Sequence, residues 1–178
     1  MSLIKFYSLS FVFVMVFCVS TSSFAFETDA FYKIIAKHSN KCAEIKNMSK
    51  ETRANIQQGT CNGMDYQLFK LHPESNGTFS IWSKHSFKVL DADGGSCDDR
   101  TNIQQFYYHR GSNQKFSLEP TPVDPNYFLI KPTHCYNKCL DVKGISTEEG
   151  ANIQIHDCHY GENQLWRLEK SENNFNPK

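Results

Sequence analysis

Apolar residues in this chain come in short runs, separated by polar stretches rich in Gly, Asn, Asp and Pro, and the same order of runs returns three times. Runs at residues 31–35, 79–82 and 127–130 open the three rounds. A polar turn follows each, then an apolar pair such as Val89-Leu90 or Cys139-Leu140. An Asn-Ile-Gln triplet starts a third run, and Gln-x-aromatic-x-Leu a fourth. Runs this short, bounded by turn-forming residues, predict β-strands. No stretch of the repeats sustains the apolar period of a helix.

The rounds align without a gap. Residues 44–69, 91–116 and 141–166 are each 26 long. At one offset they carry Asn55-Ile56-Gln57, Asn102-Ile103-Gln104 and Asn152-Ile153-Gln154; they close on Gln67-Leu68-Phe69, Gln114-Lys115-Phe116 and Gln164-Leu165-Trp166. A unit of this size cannot bury its apolar face alone, so the three must share one core. Three units of four strands in about 150 residues predict an all-β fold, a β-trefoil with pseudo-threefold symmetry, its units at about 30–73, 77–120 and 126–169. Closure of this kind leaves few open strand edges. The closing aromatics, with Leu71, Leu118 and Leu168 just beyond, are expected in the core.

The N-terminus follows another pattern. Lys5, an apolar run over 6–19 and small residues over 20–25 make the layout of a secretory signal peptide, residues 1–25, cleaved after Ala25. The run is shorter than the ~20 residues that span a bilayer, so no membrane insertion is expected. The domain then occupies 26–170, and the polar tail over 171–178 reads as flexible. Location is expected to be extracellular or periplasmic. The formal net charge of zero and the lack of a basic stripe argue against nucleic-acid binding.

Six cysteines follow residue 25, and in an exported chain an even count points to disulfides before metal. Cys42 and Cys61 are 19 apart, as are Cys139 and Cys158, at matching repeat positions. The middle unit has Val89 and Tyr108 there, an apolar pair where the bridge would be. Pairings Cys42–Cys61 and Cys139–Cys158 are therefore predicted, each worth roughly 3 kcal/mol by loop entropy. Cys97 and Cys135 break the repeat, and spacing does not say whether they pair. Asn47-Met48-Ser49 and Asn76-Gly77-Thr78 fit the glycosylation acceptor pattern.

The most specific marks are Cys139-Leu140-Asp141-Val142, Asn152-Ile153-Gln154 and Asn163-Gln164-Leu165-Trp166. Through them the chain, over about residues 30–170, resembles the ricin B-type lectins. That resemblance implies a β-trefoil with shallow sugar pockets, up to one per unit, that often take galactose or N-acetylgalactosamine. The chemistry suits it: a carboxylate accepts from adjacent hydroxyls, an amide donates and accepts, and a ring plane covers the sugar's apolar face. By resemblance the third unit offers Asp141, Gln154, His156, Asn163 and Gln164, where His156 stands in for a better stacking ring and Gln164 reads as a structural hydrogen-bonder. The second offers Asp91, Gln104, Phe106, Asn113 and Gln114. The first is expected to be inactive, with Glu44 for Asp, Gly59 for the ring and Tyr66 for Asn.

Other chemistries lack their patterns. His156-Asp157-Cys158-His159 is a weak metal motif, because strand neighbours point to opposite faces and Cys158 has a disulfide partner. No HExxH, GxSxG, P-loop or paired CxxC occurs. Neither an enzyme nor a cofactor or metal is expected. The expected partners are glycans on cell surfaces or glycoproteins. The alternatives are an accessory subunit of a multi-chain toxin or adhesin, or a protein-binding trefoil that has lost sugar binding.

Overall fold

A computed structural model of the protein describes residues 26–122 and 124–172; the expected signal peptide and residues 173–178 lie outside them. Each repeat contributes four short strands in the expected order. The first unit has β1 (Tyr32–Ala36), β2 (Cys42–Ile45), β3 (Ile56–Gly59) and β4 (Phe69–Pro73). The second has β5 (Phe79–Ser83), β6 (Val89–Ala92), β7 (Ile103–Phe106) and β8 (Phe116–Pro120). The third has β9 (Phe128–Pro132), β10 (Lys138–Val142), β11 (Ile153–Asp157) and β12 (Trp166–Lys170).

First and fourth strands close a barrel. β1 pairs β12 and β4, β5 pairs β4 and β8, and β9 pairs β8 and β12, so each of the six has a neighbour on both sides. The second and third strands form three hairpins, β2–β3, β6–β7 and β10–β11. This is the β-trefoil that the repeat predicts.

The core is made by the repeated positions. Phe69, Phe116 and Trp166 are wholly buried, as are Ile56, Ile103 and Ile153 of the Asn-Ile-Gln triplets. Leu71 is buried, while Leu118 and Leu168 are only partly so and pack against the cluster. One detail departs from expectation. The glutamines of Gln-x-aromatic do not start the fourth strands but end single turns of 3₁₀ helix, Asp65–Gln67, Ser112–Gln114 and Glu162–Gln164. Ser171, expected in the loose tail, is instead buried, and its N–H donates to Phe31 O (2.8 Å).

Neighbouring units are joined by a ring of backbone hydrogen bonds. Arg53 N donates to Gln105 O and Gln105 N to Ala54 O; Arg100 N donates to Ile155 O and Ile155 N to Thr101 O; Gly150 N donates to Gln58 O and Gln58 N to Ala151 O, all at 2.8–2.9 Å. Just beyond, Asn55 bridges Gln104, Asn102 bridges Gln154 and Asn152 bridges Gln57. These bridges are backbone contacts; by their side chains the triplets put Ile in the core and Gln on the acid of its own unit, and Asn152 Nδ2 donates across units to Asn102 Oδ1 (3.0 Å).

Side chains reinforce two of these joints in the same way. Gln58 Nε2 donates to Ser146 O and Glu148 O, and its Oε1 accepts from Ser39 Oγ. Gln105 Nε2 donates to Ser49 O and Glu51 O, and its Oε1 accepts from Ser86 Oγ. At the joint from second to third unit the glutamine is Ile155 and the serine is Cys135. There Cys135 bonds to Cys97, so a disulfide holds the loop that elsewhere is gripped by an amide.

Both predicted disulfides, Cys42–Cys61 and Cys139–Cys158, are formed. Cys61 and Cys158 lie just past the third strands, beyond Gly59 and Asp157, not within them. Tyr108 in the middle unit takes another role: its hydroxyl donates to Glu74 (2.5 Å), which raises its pKa, and its ring packs on Trp82 at 5.2 Å.

Acidic loop residues add polar ties across the joints. Glu149 of the third unit meets Lys41 Nζ (2.5 Å), Thr60 Oγ1 (2.6 Å) and Thr60 N (2.9 Å) of the first. Asp99 of the second unit accepts from Lys138 Nζ (2.6 Å) and Asp157 N (2.9 Å) of the third.

Replacing Trp166 or Phe116 by Ala should each cost about 3–5 kcal/mol, read by guanidinium unfolding with the disulfides intact; a loss below about 1 kcal/mol at either would contradict a shared core. Hydrogen bonds from Lys41 and Thr60 lower the Glu149 pKa from 4.5 to about 2. A depressed folded-state pKa gives stability that is present above the ordinary value and is lost as pH falls. Glu149→Gln should therefore flatten the fall in melting temperature between pH 4.5 and 2 relative to the parent protein.

Candidate functional site

In every hairpin an acidic residue stands directly opposite a glutamine: Glu44 faces Gln57, Asp91 faces Gln104 and Asp141 faces Gln154. The following turn of 3₁₀ helix brings the next two polar residues to the same carboxylate. In the third unit Asp141 Oδ1 accepts from Gln154 Nε2 (3.0 Å), and Oδ2 from Asn163 Nδ2 (2.7 Å) and Gln164 Nε2 (3.1 Å). These amides hold a carboxylate whose side chain is only 4% exposed. A carboxylate has about four acceptor positions, so the protein's own amides fill most of them and fix its orientation.

Above that carboxylate lies an open cavity of about 410 Å³, lined by Asp141, Gln154, His156 and Asn163 together with Arg100, Lys143, Gly144, Ile145 and His159. Gln154 Oε1 and Asn163 Oδ1 are buried acceptors with no donor among the described residues. A buried acceptor left unmatched costs about 1–3 kcal/mol. Both line one open cavity, where water or the hydroxyls of a ligand can supply the missing donors.

The second unit repeats the arrangement. Asp91 Oδ1 accepts from Gln104 Nε2 (3.1 Å), and Oδ2 from Asn113 Nδ2 (2.9 Å) and Gln114 Nε2 (2.9 Å). Its cavity is smaller, about 250 Å³, and is lined by Asp91, Gln104, Phe106 and Asn113 with Arg53, Asp93, Gly94, Gly95 and His109. Phe106 is partly exposed, with the Arg53 guanidinium 5.9 Å from its ring centre.

The first unit keeps two of the three amide hydrogen bonds and fills the place of the ring. Glu44 takes Gln57 Nε2 on Oε1 (2.9 Å) and Gln67 Nε2 on Oε2 (2.8 Å). Its extra methylene pushes the carboxylate over Gly59, where an added Cβ would meet Oε2 at 2.4 Å. The acid itself thus occupies the place of the ring, and Tyr66 replaces the asparagine and takes Asn62 Nδ2 on its hydroxyl (2.6 Å).

One candidate residue, Gln114, changes role, and Gln164 takes the structural role expected of it. Gln114 and Gln164 are wholly buried and lie beneath the cavities. Gln164 donates to Asp141 Oδ2 and to Asp157 O (2.9 Å), while its Oε1 accepts from His159 N (2.9 Å). Gln114 does the same with Asp91, Tyr107 O and His109 N. They position the acid rather than face a ligand.

The structure also adds residues that the repeat did not single out. His109 and His159 stand 3.4 and 3.5 Å from the acids. Gly111 N–H and Gly161 N–H donate to their Nδ1 atoms, which leaves the hydrogen on Nε2, directed at Asp91 and Asp141. Arg53 and Arg100 come from the unit before each site. A signal existed for the histidines, which recur at one offset of the repeat, but the arginines required the joints. His156 lines the third cavity where Phe106 lines the second, and its Nε2 lies 3.7 Å from Asp99 Oδ2.

Cys97, His134 and Cys135 cluster closely enough to suggest a metal site. The two sulfurs are bonded to each other and supply no thiolate ligand. Among the described residues no helix is long and apolar enough to cross a membrane. Asn47 and Asn76, in the acceptor sequons, both lie exposed on turns.

Residues 77–178 match the family described as ricin-type beta-trefoil lectin domain, and residues 21–106 match its domain-like relative. A designed 3-fold symmetric protein, ThreeFoil, has a TM-score of 0.75 at 34% identity, covering 78% of this chain and 96% of its own. An exo-β-1,3-galactanase from Clostridium thermocellum gives 0.75 at 30% identity over 80% of this chain and 30% of the enzyme. A ricin B-like lectin of Macrolepiota procera, solved with lactose, gives 0.72 at 16% identity over 83% and 99%. No curated protein matches the chain by sequence.

Gln164→Leu should destabilise the fold by about 1–3 kcal/mol for each stranded partner, because the backbone N–H of His159 loses its acceptor and Asp141 a donor. Denaturant unfolding would read this; an unchanged midpoint would mean that Asp141 does not depend on the buried amide.

Proposed function

The chain belongs to the ricin-type β-trefoil lectin family, and on that premise we propose that it is a secreted lectin that binds galactose- or N-acetylgalactosamine-type glycans through its second and third units. The observation that carries the reading is the pair of unmatched buried acceptors, Gln154 Oε1 and Asn163 Oδ1, in the larger cavity. Sugar hydroxyls donate hydrogen bonds at the spacing of neighbouring carbons, which suits convergent acceptors around a fixed carboxylate.

Each site then has a division of labour. Asp91 or Asp141 holds the surrounding amides in place and offers its remaining acceptor position to one hydroxyl, Asn113 or Asn163 and Gln104 or Gln154 bond beside it, and Phe106 or His156 covers the sugar's C–H face. The galactose preference draws on the class of sugar named for similar proteins: the galactanase above, the lactose-bound lectin, and an earthworm lectin half solved with GalNAc at 20% identity. Shallow sites of this kind are weak singly, so useful avidity comes from engaging two sites at once. Three disulfides suit an oxidising, extracellular destination.

A glycan array with the protein beside its Asp91→Ala/Asp141→Ala double variant tests the reading. Galactose-type binding in the parent should disappear in the variant, with folding checked by circular dichroism. Because both acids are buried and hydrogen-bonded, a Phe106→Ala/His156→Ala variant supplies a milder version, expected to weaken binding at least tenfold. A folded parent that binds no glycan would overturn the proposal.

A further inference from the structure

The two cavities are built alike but differ in charge. Their lips use the same repeat positions, yet the second has Asp93 where the third has Lys143. The second cavity therefore sets Arg53 against two carboxylates, Asp91 and Asp93. The third sets Arg100 and Lys143 against one, Asp141, with His156 and His159 beside them. With neutral imidazoles this is a difference of two unit charges between sites of the same architecture.

The cations of the third site are also unspoken for. Among the described residues neither the Arg100 guanidinium nor Lys143 Nζ forms an ion pair, whereas Lys138 close by holds both Asp99 and Asp157. Arg100 is held firmly all the same. Its N–H donates to Ile155 O at 2.9 Å, the Cys97–Cys135 bond ties its loop to the third unit, and its neighbour Asp99 is docked on Asp157 N.

Arg100 has φ 71°, in the left-handed region that disfavours a side chain, and Arg53 at the matching joint has φ 68°. The third copy of the position, beside the altered first site, is Gly150 at φ 76°. Glycine meets this turn without strain. The arginines stand at the joints next to the second and third cavities, in a turn conformation that several other residues of the loops share.

We propose that the third site takes a galactoside bearing an anionic substituent, a sulfate ester or a carboxylate, and that Arg100 and Lys143 read that charge. This rests on the carbohydrate-binding function proposed above and specifies the ligand of one site. The second site, with Asp93 at its lip, selects neutral sugar. The two sites then recognise different decorations of one glycan.

The test is calorimetric titration of the protein with lactose, 3′-sulfolactose and 3′-sialyllactose. At least one anionic sugar should bind on the order of tenfold tighter than lactose at low salt, and the gap should narrow at high ionic strength. A sulfate-only or sialyl-only gain identifies the source of the charge, and either supports the proposal. In an Arg100→Gln/Lys143→Gln variant, both exposed positions, the ratio of anionic to neutral affinity should fall to about one. Equal binding of all three sugars by the parent protein, or a ratio that survives in the variant, overturns the charge reading and leaves the lectin function standing. Binding of none of them overturns both.

Discussion

The structure depends on the hydrogen bonds that tie the start of each third strand to the next unit. A unit of four short strands has too little apolar surface to hold itself together, so its strands persist only if the three units close on one another. Closure is made where Arg53 and Ala54 meet Gln105, Arg100 and Thr101 meet Ile155, and Gly150 and Ala151 meet Gln58. A buried backbone amide without a partner is costly, so this ring fixes the relative rotation of the units. Once that is set, Phe69, Phe116 and Trp166 fall into one core, and the loop before each joint is laid against the hairpin of the next unit.

The third joint tests how strict that requirement is. Gln58 and Gln105 each grip two carbonyls of the incoming loop, but Ile155 can donate nothing from its side chain. The loop is held instead by Cys97–Cys135, while the contact of His134 Nε2 with Ser96 O (3.2 Å) has counterparts that His38 and His85 make at the other joints. The serine of the hydrogen-bonded version is the very position that has become Cys135. The joint is thus kept in effect while its chemistry changes, as expected if the constraint is the loop's placement and not any one bond.

This explains what could be read in the sequence. The fold was legible because its units are consecutive: strand lengths, the triplet Asn-Ile-Gln and the closing aromatics all repeat along the chain. The acids and amides that line the candidate cavities were legible for the same reason, since Asp141, Gln154 and Asn163 belong to one unit and recur at fixed offsets. Arg100 was not, because it lines a cavity in the following unit, and no spacing within a repeat reveals a contact across a joint. The pairing of Cys97 with Cys135 was hidden likewise, being a bond between units. Gln114 was legible as polar and recurrent, but its recurrence reflects burial beneath the acid, which alignment alone does not separate from facing a ligand.

The first unit shows how little separates a scaffold from a site. Glu44 accepts from Gln57 and Gln67 much as Asp91 and Asp141 accept from their partners, so the hydrogen bonds that support the fold are intact. One extra methylene carries the carboxylate over Gly59, where no ring could stand. The neighbouring joint supplies Gly150 in place of an arginine, and Tyr66 takes the place of the asparagine. Each change removes a cavity-lining group while leaving the carboxylate's supporting role untouched. The buried acid therefore has two separable roles, one in holding the turn and one in facing the cavity. The second role depends on groups drawn from two units, so it can be lost, or retuned in charge, at a single site without loosening the fold that all three share.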